Sequence, residues 1–195
     1  MPEDGLHVLL IDDDPVRATV IEEGLREAGH RRVTIIRDMR QLLRQVVDAD
    51  PDVIFIDLEN PNRDVLEQMF QVSRTVRRPV AMFVDQSDRA SIEAAIDAGV
   101  SAYVVNGLRK ERVKPILDMA ISRFNAFHRL RDELDRAKQA LEDRKVIDKA
   151  KGIIMKNRHI SEEEAYGLLR KTAMNESRRV ADVARSVIIA AKLLG

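Results

Sequence analysis

The chain has 195 residues, enough for one large domain or two small ones, and its 45% hydrophobic and 34% charged residues fit a soluble globular protein. It has no cysteine, which excludes disulfides and thiolate metal centres, and no apolar run long enough to span a bilayer. The net charge of +0 divides unevenly: residues 1–122 carry 16 Lys/Arg against 22 Asp/Glu and residues 123–195 carry 17 against 11, so the second part is the candidate polyanion binder.

The acidic start, Met1–Gly5, lacks the basic and apolar regions of a signal peptide, so a cytoplasmic location is expected. Short apolar runs then follow at His7–Ile11, Val33–Ile36, Val53–Ile56, Val80–Val84 and Ala102–Val105. Each is nearly continuous, the pattern of parallel strands covered on both faces. Amphipathic helical stretches lie between them, at Val16–Ala28, Met39–Val47, Val65–Val72 and Ile92–Ala98. Gly29 is a stop signal for the first helix, and Pro51 and Pro79 sit just before strands. Five strand–helix repeats predict a doubly wound (βα)5 domain of class α/β over residues 1–120.

Asp12 and Asp13 directly follow the first predicted strand and Asp57 directly follows the third. In a parallel sheet the carboxyl ends of the strands line one edge, where ligands bind. Three carboxylates converging there repel one another unless a hard cation such as Mg²⁺ is bound. Asp57 is then placed to attack a phosphoryl donor. Taken singly, each of these residues also suits a turn.

Beyond Arg109 no strand signal returns, and no Gly or internal Pro interrupts Ile116 to Lys151. With Val113 at position a, the seam reads Val113, Ile116, Ala120, Arg123, Phe127, Leu130, Leu134, Ala137, Leu141. This alternation of three and four predicts either a coiled coil over residues 113–144 or a helix packed on its own domain. The dense charge at Arg131–Lys138 favours a coiled-coil homodimer. From Lys145 a three-helix bundle is predicted, over residues 145–195. Its first face is Val146, Ile147, Ala150, Ile153 and Ile154, Ser161–Glu164 is a capping box opening the second helix, and Asn175 or Ser177 caps the third.

The motifs "VLLIDDDP", "PDVIFIDLENP", "PVAMFVDQSD" and "AGVSAYVVNGL" resemble the receiver domain of two-component response regulators, over about residues 7–120. The resemblance implies that Asp12 and Asp13 are the acidic pair, that Asp57 is the phospho-acceptor, and that the Glu59 carbonyl completes a Mg²⁺ site. It places Tyr103 at the aromatic switch position. Two departures stand out. Val84 occupies the place of a Ser or Thr that contacts the phosphoryl group, and Asn106 that of a Lys that pairs with it. Phosphorylation acts through such partners, so their loss argues against it as the main switch.

The segment "VIDKAKGIIMKNRHISEEEAYGLLRKTAMNESRRVADVARSVI" resembles the ANTAR module, the RNA-binding domain of antiterminators. Lys151, Arg158, Arg170, Lys171, Arg178 and Arg179 are the candidate RNA contacts, with a solvated basic face as the plain alternative. Together the three parts resemble the AmiR/NasT group of antiterminators, and most closely its nitrate-regulated type. That resemblance implies binding to RNA hairpins in mRNA leaders, sequestration by a nitrate-sensing partner protein, and no membrane association. The alternative is a conventional response regulator in which phospho-Asp57 controls nucleic-acid binding. An enzyme is not expected, because no Ser-His-Asp pattern or Gly-rich phosphate loop is present.

Overall fold

The computed structural model describes residues 5–59 and 62–194; Met1–Asp4, Asn60, Pro61 (which open the "NPNRDVLEQ" stretch after the third strand) and Gly195 lie outside the described residues. The elements run β1 (Val8–Ile11), α1 (Pro15–Glu27), β2 (Val33–Ile36), α2 (Leu42–Ala49), β3 (Val53–Leu58), α3 (Arg63–Thr75), β4 (Val80–Val84), α4 (Arg89–Asp97), β5 (Ala102–Val105), α5 (Lys110–Arg158), α6 (Glu162–Asn175) and α7 (Val180–Leu194). The chain divides into two compact units, Met1–His128 and Arg129–Gly195.

In the first unit the strands form one parallel sheet in the order β2-β1-β3-β4-β5. Successive side chains of a strand point to opposite faces, so the apolar runs supply two cores at once. Leu9, Ile11, Ile54, Ile56, Val80, Met82 and Val84 pack with α2, α3 and α4 on one face. Val8, Leu10, Phe55, Ala81 and Phe83 pack with α1 and α5 on the other. β1 lies between β2 and β3, so the chain reverses direction across the sheet at β1, and the carboxyl ends of β1 and β3 frame the switch-point crevice. Asp14 and Pro15 place α1 there: Asp14 accepts from the Val16 and Arg17 N–H groups, and Pro15 needs no partner at the first turn.

The predicted seam is corrected at its start. Val113, Ile116 and Ala120 are buried in the second core, together with Leu117, so here the helix packs on its own sheet. Gly24 of α1 makes room for it, because a Cβ there would stand 2.8 Å from Val113 Cβ. From Phe127 the seam positions face solvent, with Phe127 59%, Leu130 66%, Leu134 52% and Leu141 55% exposed.

In the second unit the end of α5 packs with α6 and α7 around Ala150, Leu169, Ala173, Val183 and Ala184. The capping box at α6 is present: Ser161 Oγ accepts from the Glu164 N–H and Glu164 Oε2 accepts from the Ser161 N–H. The predicted cap of the third helix is corrected. Asn175 is the last residue of α6, and Ser177 sits in the turn with φ +53°. Arg178 and Arg179 precede α7, which begins at Val180.

Candidate functional site: an arginine-clamped aspartate pocket and a basic helical surface

Asp12 and Asp57 stand at the carboxyl ends of β1 and β3, 1% and 0% exposed. Asp12 Oδ1 accepts from the Asp14 N–H at 2.8 Å, while Asp12 Oδ2 is buried with no hydrogen-bond partner. Burial pushes the Asp12 carboxyl up to about 7, and it also raises that of Asp57.

The cation in this pocket is Arg17, in the first turns of α1. Its Nε donates to Asp57 Oδ2 at 2.8 Å and its NH2 to Asp57 Oδ1 at 2.6 Å. Its NH1 donates to both oxygens of Asp85, at 3.0 and 3.2 Å. The planar guanidinium suits this two-point grip on a carboxylate. Sequence reasoning missed Arg17 and Asp85. The available signal was an arginine at the first turn of the helix that leaves the Asp12-Asp13 pair, with an acidic residue directly after the fourth strand.

The expected Mg²⁺ ligands do not come together as predicted. Asp13 is exposed to solvent, and both oxygens of Asp57 are held by Arg17. The Glu59 carbonyl accepts from the Asp85 N–H at 3.1 Å. Among the described residues no three His, Asp or Glu side chains are grouped to hold a metal. The resemblance to receiver domains led to the expectation of Mg²⁺ at this acidic site. Here the unpartnered Asp12 oxygen alone suits a cation, and the arrangement as a whole does not fit a divalent ion.

Val84 is the buried last residue of β4, paired with Leu58 and Val105. Asn106 is exposed in the left-handed region at φ +48°, and its N–H donates to the Val84 carbonyl. The Tyr103 hydroxyl shares a 2.9 Å hydrogen bond with Ser87. Neither Val84 nor Asn106 offers the hydroxyl or ammonium that a phosphoryl group on Asp57 would need.

The six basic candidates of the second unit fall into two groups. Arg158, at the end of α5, and Arg170 and Lys171, on α6, are exposed, and none is in an ion pair among the described residues. The other three already have carboxylate partners. Lys151 Nζ lies 2.6 Å from both Asp148 and Glu162. Arg178 pairs with Glu176, and Arg179 pairs with Asp182 and Asp143.

Two family models match the chain: the response regulator receiver domain over residues 8–118 and the ANTAR domain over residues 135–188. The transcriptional regulatory protein PdtaR of Mycobacterium tuberculosis is 27% identical over 179 residues, covering 90% of this chain and 87% of that protein. A nitrate regulatory protein of Klebsiella oxytoca is 35% identical over 75 residues, covering 38% of this chain and 19% of that protein. Among solved structures, a response regulator from Thermotoga maritima has a TM-score of 0.51 at 16% identity, covering 59% of this chain and 96% of that one, which bears on the fold alone.

Proposed function

Starting from the fact that the chain belongs to the response regulator receiver family and carries an ANTAR domain, we propose that it is an antitermination regulator released from a sequestering partner rather than switched by phosphorylation. The two family models and the likeness to PdtaR support an RNA-binding response regulator of the antiterminator type. The finer reading rests on one observation: Arg17 already grips both oxygens of Asp57. A phosphoryl donor would have to displace that grip, and the product would gain no hydroxyl from Val84 and no ammonium from Asn106. The likeness to a nitrate regulatory protein supports nitrate or nitrite assimilation as the setting, and the resemblance of the sequence to the nitrate-regulated AmiR/NasT type supplies the proposal of a nitrate-sensing partner. The exposed Leu130, Leu134 and Leu141 supply the seam for a homodimer. The cytoplasm is the proposed location; no described helix is long and apolar enough to cross a membrane.

The test treats the full chain with acetyl phosphate and Mg²⁺ and measures its affinity for RNA hairpins enriched by the untreated protein from a randomised-loop pool. Affinity is expected to stay within twofold. A tenfold or larger change, abolished by Asp57→Ala, would establish the second reading, in which phospho-Asp57 controls RNA binding. The position of Asp57 with Asp12 at the carboxyl ends of the strands, the edge where parallel sheets bind ligands, favours that reading.

A further inference from the structure

A groove of about 700 Å³ runs between α5 and α6 in the second unit. Gly152, Met155 and Tyr166 line it, with Asp148, Lys151 and Glu162. Lys151 bridges Asp148 on its own helix to Glu162 at the start of α6, which ties the two walls together. Tyr166 keeps 44% of its surface exposed.

Gly152 lies inside α5, about two turns before its end, where glycine is destabilising relative to alanine. No packing contact accounts for it: a Cβ at Gly152 would meet nothing within 4 Å. Lys149 precedes it by three residues and Lys156 follows it by four, so both flank it on one helix face. Both are exposed, and neither is in an ion pair among the described residues. The two lysines are about 10 Å apart along the axis, with the bare backbone of Gly152 between them.

The charges separate two roles. The carboxylates lining the groove, Asp143, Asp148 and Glu162, outnumber its cations, Arg144 and Lys151, so a phosphate is disfavoured there. A neutral planar group is not. It can stack on Tyr166, and the carboxylates keep acceptor capacity for its amino hydrogens. The phosphates attached to such a group would then fall on the rim, where Lys149 and Lys156 stand and Gly152 lets a backbone come close. Resting on the RNA-binding reading above, we infer that the groove receives one unstacked nucleobase of an RNA hairpin loop, stacked on Tyr166, with adjoining phosphates held by Lys149 and Lys156 across Gly152.

The test uses full-length protein and hairpins enriched by the wild-type chain from a randomised-loop pool. Binding is measured by fluorescence anisotropy, thermal melting by circular dichroism, and self-association by sedimentation. Gly152→Ala is expected to melt at or above the wild-type temperature yet bind at least tenfold more weakly. Tyr166→Ala should lose tenfold or more, as expected for one stacked base, and Tyr166→Phe should restore most of it. If hairpins are enriched and both alanine variants bind them like wild type, the groove assignment is overturned while RNA binding stands. Unchanged hairpin affinity with a shifted dimerisation midpoint overturns it in favour of a second copy of the chain in the groove. Failure of the wild-type chain to enrich any hairpin overturns the RNA reading itself, and this inference with it.

Discussion

Replacing Arg17 with Ala leaves Asp57 at 0% exposure without the guanidinium that holds both of its oxygens. Breaking a buried pair from one side costs about 3–5 kcal/mol, because the remaining charge is uncompensated. Arg17 itself is 19% exposed, which places the loss near the lower end, about 3 kcal/mol. Asp85 also loses a partner, but its side chain is 35% exposed and water takes over, adding little. At about 2–4 °C per kcal/mol, the melting temperature should fall by roughly 10 °C. Arg17→Ala combined with Asp57→Asn removes the orphaned charge, so the double variant should recover much of the loss. Urea unfolding of the four proteins of this cycle at pH 7 in chelator gives the coupling energy directly. Mg²⁺ supplies a second readout: it should raise the melting temperature of Arg17→Ala and leave the wild type unchanged. A coupling below about 1 kcal/mol would refute the claim that Arg17 neutralises the pocket.

The raised carboxyl of Asp12 makes stability depend on pH. Its folded value of about 7 lies above the ordinary 3.8, so the native state holds the extra proton between those limits and stability falls as pH rises from about 4 to about 7; Asp12→Asn should flatten that slope in chelator-treated samples, and an unchanged slope would place the titration elsewhere. Changing Leu130 and Leu134 together to Asp should yield monomers in sedimentation if the seam joins two copies, whereas an unchanged dimer would put the contact outside it. Arg170→Ala and Lys171→Ala should each reduce the salt slope of hairpin binding by about one unit, and Arg179→Ala by less, because its charge is already shared with Asp182 and Asp143; equal effects would mean that those ion pairs open on binding.

The strands were legible because each is a short, almost unbroken apolar run, and all five lie within two residues of the predicted bounds. The seam shows where periodicity stops being informative. Val113, Ile116 and Ala120 repeat at the same spacing as Leu130 and Leu134, yet they meet the sheet; spacing defines a stripe and not what covers it. The acidic pocket was legible from Asp12 and Asp57, since strand ends are fixed by the runs before them. Its cation was not, because the grip of Arg17 on Asp57 and Asp85 joins residues 40 and 68 positions apart. The ion pairs of the basic surface were not legible for a similar reason. Lys151 counts as a free cation in sequence, but Asp148 lies one helical turn before it and Glu162 reaches it only through the α5–α6 turn.

The clamp on Asp57 also bears on time. A regulator that stores its signal as an acyl phosphate carries a clock, since hydrolysis of that bond returns it to rest without further instruction. With the acceptor oxygens occupied by Arg17, this chain has no such clock under the proposed reading. Its response would end when its partner recaptures it, and the duration would follow from how fast that complex forms and how slowly it and the RNA complex dissociate. Signal length would then scale with the cellular amounts of two macromolecules and not with the lifetime of a covalent bond.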